Sequence, residues 1–268
     1  MNALTSMSIW ALVALALVIA LVLVTLVVTG LQYRSTPDIR ERRGITAAAY
    51  MTAVGSLFAI LTGFLINSAY VNLQDTQNAV GTEVAAATQL AYASGALPPA
   101  DADRVQASLQ VYLNSLVNGE WQALGQNAPQ NSPAIGTLRD LQQTIYPLTE
   151  RAYVPSTIAD AMVNATQQMA TARRDWISLA SEDLPFPLFA LAVLSGIALI
   201  VNALVVSGRS GRRYAVIAAG IIIVVVLDVT AIIAISAPFR GAFIVDSHPI
   251  SQVTQELQNG EYLPWVKL

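Results

Sequence analysis

Few residues in this 268-residue chain can do chemistry, and their positions carry most of the information. One carboxylate, Asp228, lies inside the apolar stretch from Tyr214 to Phe239. As a helix rising about 1.5 Å per residue, that stretch can cross a hydrocarbon core of about 30 Å. An acid at such depth is costly and needs a partner or a task. Asp228 stands fifteen residues from Arg213, about 22 Å, and ten from Pro238, about 15 Å. Thr62 lies eight residues in from Tyr70, and Ser195 eight from Pro187. The three fall near one level, so Asp228, Thr62 and Ser195 are expected to form an intramembrane polar cluster. Its chemistry would be an interhelical hydrogen bond, or the handling of a proton or cation.

Other reactive groups are scarce. Asp101 and Asp103 have the spacing of a metal pair, but acids in the first turn of a helix opened by Pro98-Pro99 explain them. His248 precedes Pro249 and reads as a solvated turn residue. With no Cys, one His and one Lys (Lys267), the chain lacks material for thiolate or histidine metal sites, Ser-His-Asp chemistry or a lysine Schiff base. No catalytic, cofactor or metal site is expected, and the chain does not read as an enzyme. A net charge of -3 argues against nucleic acid as a partner.

The elements that position these residues follow from composition. Hydrophobic residues make up 54% of the chain and charged ones 12%, against roughly 25% charged in a soluble domain. Four spans are expected: Ile9 to Val28, Ile45 to Tyr70, Pro187 to Val206, and Tyr214 to Phe239 with its end at Pro238. The first has no Lys or Arg before Arg34 and only a poor cleavage signal after it, so it reads as a retained helix and not as a signal peptide. Gly55, Ala59 and Gly63 recur every four residues on one face of the second, where small side chains let another helix approach.

Between the two pairs of spans the sequence changes character. Val71 to Asp183 holds eleven carboxylates against five arginines. Its apolar spacing is helical throughout. Val80, Val84, Ala87 and Ala91 form one stripe, continuing from the second span with no Gly or Pro between Tyr70 and Val80. Val105, Leu109, Tyr112 and Leu116 form another. A third helix is capped by Ser132 with Pro133 at its start, carries Leu138, Leu141 and Ile145, and stops at or just before Pro147. Ile158, Met162, Ala165, Met169, Ala172, Trp176 and Leu179 alternate steps of four and three, the seam of a helical bundle. After the last span, Gly241 to Val245 reads as extended. A short amphipathic helix from His248 carries Ile250, Val253 and Leu257, and Tyr262 and Trp265 suit a membrane interface.

The fold class is therefore all-α: four transmembrane helices in two pairs with an inserted extracytoplasmic helical bundle. The expected division is 1–70, 71–183, 184–239 and 240–268. Arginines cluster in the connectors Gln32 to Gly44 and Ser207 to Arg213. Positive connectors stay cytoplasmic, which puts the central bundle and both termini of an inner (plasma) membrane protein outside.

Several stretches resemble a bacterial four-span family described as bestrophin-like and of unknown function. They are Gly55 to Phe64 (GSLFAILTGF), the polar helix from Gln74 through Glu83, Glu120-Trp121 closing the second bundle helix, and Pro238-Phe239-Arg240-Gly241 after the last span. Relatives often place an acid two residues before the Pro-Phe pair, where this chain has Ser236. The resemblance implies an oligomeric anion channel of the bestrophin kind. Bestrophin keeps its central helices in the cytoplasm, whereas the arginines here put them outside, and an acidic outer domain would repel anions. Weighing these, the first reading is a non-enzymatic scaffold, sensor or partner-binding protein. The second is an oligomeric ion channel or transporter. Its partners would be the lipid bilayer and either further copies of itself or another membrane protein.

Overall fold

The computed structural model describes residues 37–125, 132–182, 184–207, 211–236, 238–239 and 243–264. The expected first span, Ile9 to Val28, lies outside them, as do Arg240, Gly241 and Trp265. Every regular element among the described residues is helical. In chain order they are α1 (Pro37–Ser94), α2 (Pro99–Ser115), a π-turn (Leu116–Glu120), α3 (Trp121–Gly125), α4 (Ala134–Thr149), α5 (Ser156–Ala180), α6 (Phe186–Ser207), α7 (Gly211–Ile235) and α8 (His248–Gln258). Among the described residues three stretches are long and apolar enough to cross a membrane: Tyr50–Ser94, Phe186–Leu204 and Ala218–Ile235.

The chain divides into two compact units. One takes the described residues within Met1–Asn72 and Asp183–Phe243, the other those within Leu73–Glu182 and Ile244–Leu268. Residues 244–264, set apart as a tail by sequence, thus belong with the bundle. The helix α1 has 58 residues and contributes to both units. At 1.5 Å per residue it is about 87 Å long, far more than a hydrocarbon core can hold. The polar run Gln74, Asp75, Gln77 and Asn78 marks where it leaves the apolar part, so its crossing segment ends near Tyr70.

The span boundaries shift from those expected. α1 already begins at Pro37, so Arg40, Arg42 and Arg43 are helical and not in a turn. Proline suits a first helical position, because its missing N–H would have no partner there anyway. Arg212 and Arg213 likewise lie in the first turn of α7. At its other end α7 stops at Ile235, ahead of Pro238, which has no N–H to extend the ladder.

In the span unit, Val54 and Phe58 of α1 pack with Leu199, Ile200 and Leu204 of α6 and Ile222, Val225 and Val226 of α7. Leu65, Ala192 and Ile232 form a second layer from the same helices. Of the described glycines in this unit Gly196 is the most closely approached: an added Cβ would lie 2.9 Å from Val225 Cγ1 and 3.0 Å from Phe58 Cε2. A Cβ on Gly55 would meet Leu199 Cδ1 at 3.4 Å, whereas Gly63 has nothing within 4 Å and Ala59 is exposed.

In the bundle unit, Met162, Ala165, Met169, Ala172 and Trp176 of α5 are buried as the seam requires. The α4 residues Leu138, Leu141 and Ile145 are buried too, and Ser132 Oγ accepts the Ala134 N–H at 3.1 Å. This helix runs past Pro147 to Thr149 instead of ending there, with the proline accommodated in the last turn. α8 buries Ile250, Val253 and Leu257. Tyr262 is buried, edge-on to Tyr92 at 4.8 Å with its hydroxyl on Glu256, so it belongs to the bundle core and not to a lipid interface.

Candidate functional site: a buried charged network in the bundle

The bundle core contains three charged side chains, each placed by a helical repeat. On α1, Glu83 follows Val80 by three and precedes Ala87 by four, so it points inward with them. On α5, Thr166, Met169, Arg173 and Trp176 follow steps of three, four and three, putting Arg173 on the buried seam. Glu120 closes the π-turn, whose wider winding rotates it off the face that α2 would otherwise give it. Gly119 beside it is required, because a Cβ there would fall 2.4 Å from Pro133 Cγ. Glu83 and Glu120 are fully buried, and Arg173 is 6% exposed.

These groups join four elements. The Tyr112 hydroxyl of α2 donates to Glu83 Oε1, and the Trp176 indole N–H of α5 donates to Glu83 Oε2 at 2.6 Å. The Arg173 guanidinium grips Glu120 with two bonds, Nε to Oε2 at 3.0 Å and Nη2 to Oε1. Trp121 tilts against Trp176 with ring centroids 5.4 Å apart, and its own N–H donates to the Val245 carbonyl at 3.2 Å. That last bond ties the segment before α8 to the network.

Two carboxylates share one guanidinium, so the network is one positive charge short of neutral. Burial is the main cause that raises Glu83, to about 7. Its hydrogen bonds from Tyr112 and Trp176 oppose the rise, nearby Glu120 adds to it, and Arg173 lowers it. Tyr112 is pushed well above the usual phenol range, first by burial and then by the Glu83 charge. The arrangement can therefore take up and release a proton at a carboxyl group whose two oxygens each accept one hydrogen bond.

The residues singled out by sequence fall elsewhere. Thr62 and Ser195 are buried in the span unit. The Thr62 hydroxyl donates to the Phe58 carbonyl at 2.8 Å, and that of Ser195 to the Ala192 carbonyl at 2.8 Å, each within its own helix. Asp228 is half-buried on α7. Pro238 is buried and Phe239 half-buried. Asp101 accepts the Tyr153 hydroxyl at 2.6 Å, and His248 is exposed with its backbone N–H on Asp246. Among the described residues no three His, Cys, Asp or Glu side chains gather to hold a metal. Sequence reading noted Glu83, Glu120 and Trp176 but not that they meet, and it passed over Arg173. The available signal was a charge at a seam position, Arg173 seven residues after Thr166 and three before Trp176.

An all-α multi-pass membrane protein with a charged, buried network in a non-membrane bundle is the class defined so far. Residues 8–250 match the family model described as a Bestrophin-like domain, and the chain belongs to that bestrophin-like family. No curated protein matches the sequence. A crystal structure of a bacterial Bestrophin homolog from Klebsiella pneumoniae carrying one mutation shares 16% identity at a TM-score of 0.72, over 93% of this chain and 98% of its own. A second structure of a bacterial Bestrophin homolog from Klebsiella pneumoniae gives 14% and 0.68 over 93% and 98%. A crystal structure of a mutated membrane protein gives 14% and 0.67 over the same shares. At these identities the likeness is one of fold.

Proposed function

We propose that the chain is a subunit of an oligomeric membrane channel or transporter of the bestrophin-like kind. The observation that carries this is extent: family match and fold likeness both run through nearly the whole chain, spans and bundle together. In this reading the Asp228, Thr62 and Ser195 cluster lies beside the ion path, and the Gly55, Ala59 and Gly63 face packs helices. Full-length protein in liposomes, with anion- and cation-selective flux assays and cross-linking for stoichiometry, tests it. Flux with an oligomeric ladder is expected; a monomer with no flux to any ion would overturn it.

A second reading, a sensor, scaffold or partner-binding protein, is favoured by the charged network, whose paired side chains belong to the bundle unit. The arginine bias supports a bundle and termini outside the cytoplasm. Cysteines introduced at Gln126 and Ser210 report this with an impermeant thiol reagent in intact cells. Labelling at Gln126 alone is expected, and labelling at Ser210 alone would give the cytoplasmic bundle of bestrophin.

A further inference from the structure

We propose that Glu83, Tyr112, Trp176, Glu120 and Arg173 form a proton-responsive latch, which holds the bundle half of α1 against α2 and α5 when Glu83 is protonated and loosens when it is not. The geometry supplies the parts. Glu83 is the α1 residue in the cluster, and its two oxygens face one donor from α2 and one from α5. The charged groups that bear on it are Glu120 from the π-turn and Arg173 from α5, and Tyr112 from α2 is its titratable neighbour. Arg173 is committed to Glu120 through both of its bonds. An ionised Glu83 therefore adds an unpaired negative charge to a buried site and faces a second carboxylate.

The step is a simple protonation. A solvent proton adds to one Glu83 oxygen, giving a neutral carboxyl and a network of zero net charge. The Tyr112 hydroxyl and the Trp176 indole keep their bonds to the two carboxyl oxygens, each of which retains a lone pair after protonation, but both bonds are stronger to the ionised form. Burial holds Glu83 near 7 against an ordinary 4.5, so the native state binds the proton more tightly than the unfolded chain. The stability contributed is complete below the ordinary value and is lost as pH rises through about 7. The proton thus acts on α1, which among the described residues contributes to both the bundle and the span unit.

The latch does not depend on whether the chain conducts ions, and its test needs no flux. Full-length protein in nanodiscs is titrated from about pH 5 to about pH 9, following tryptophan emission and amide exchange over residues 76–90 corrected for intrinsic rates. Wild-type protein should show one transition near neutrality, with exchange in that segment several-fold faster on the alkaline side. Glu83→Gln keeps the shape, cannot ionise and should remove the transition in both readouts. A transition that persists in Glu83→Gln would overturn the latch. Should that variant not fold, Tyr112→Phe decides: it removes one donor to the ionised carboxylate and should move the midpoint to higher pH. A midpoint unmoved in Tyr112→Phe overturns the proposal, because a merely structural tyrosine would lower stability equally at every pH.

Discussion

Thr62, Ser195 and Thr230 each give their hydroxyl proton to a carbonyl three or four residues back on the same helix. In the bundle the hydroxyls of Ser94, Thr166 and Thr254 do the same, but other polar side chains reach across. Glu83 of α1 meets α2 and α5, Glu120 of the π-turn meets α5, and Gln106 of α2 donates to the Ala91 carbonyl and Ser94 hydroxyl of α1. The span unit satisfies its hydroxyls locally and leaves helix contacts to apolar packing around Gly196. The bundle uses buried charge to set which helices meet and in what register. Buried polar groups need partners in both places, but in the bundle removal of Arg173 strands a charge, whereas removal of a Thr62 or Ser195 hydroxyl does not.

The largest effect should come from breaking the bundle's ion pair. Arg173→Ala leaves Glu120 buried and unpaired beside Glu83, at a cost of about 3–5 kcal/mol. Denaturant unfolding of the full chain in detergent measures it. Replacing both partners with apolar residues, Glu120→Leu with Arg173→Met, should recover much of the loss, because the stranded charge disappears. If Arg173→Ala costs no more than the loss of a span hydroxyl, the contrast between the units fails.

Next in size is Gly119→Ala. Its Cβ would meet the ring of Pro133 at 2.4 Å, and either the π-turn or the loop must give way. Overpacking of this kind costs about 1–3 kcal/mol. Because Glu120 follows directly, the variant should also weaken the Arg173 pairing. Combining it with Arg173→Ala should then cost less than the two losses added together, and simple additivity would show that the π-turn does not position Glu120.

Much of the architecture was legible in the sequence, for physical reasons that also explain the rest. The α5 seam could be read because a four-three alternation of apolar residues has one inward face, and Met162, Met169 and Trp176 are all on it. The continuity of α1 could be read because nothing between Tyr70 and Val80 breaks a helix. The charged network could not be assembled, since pairing Glu120 with Arg173 requires knowing how two elements 53 residues apart lie together. The π-turn was hidden too: an inserted residue leaves no period to recognise. Pro147 misled because a proline in the last turn forfeits only its own bond to the carbonyl four residues back, and the helix closes two residues later without it.

Smaller effects should follow in the span unit. Thr62→Val and Ser195→Ala each remove a hydroxyl bonded within its own helix, whose carbonyl keeps its ladder partner. Membrane hydrogen bonds average about 0.6 kcal/mol even between helices, so each variant should lose that or less in unfolding from detergent. A loss several times larger would mean that these hydroxyls hold helices together, as the bundle's side chains do.

The smallest stability change should come from Asp228→Asn, and it is also the most informative about function. Asparagine keeps the shape of the side chain and both of its polar atoms, but it cannot ionise. Thermal unfolding and oligomeric state should therefore match the wild type. Two measurements then separate what the carboxylate does. A double-mutant cycle between Asp228→Leu, which removes both polar atoms, and Thr62→Val, repeated with Ser195→Ala, reports whether the three residues sense one another. Both hydroxyls have given their protons to their own helices, yet each oxygen retains a lone pair, so a coupling requires Asp228 to donate and thus to be protonated in the membrane. Zero coupling in both cycles would remove the cluster. Flux in liposomes supplies the other half. With the cluster intact and flux lost in Asp228→Asn, the ionisable proton is part of transport; with flux unchanged, Asp228 is a packing residue, and the path must run past other groups.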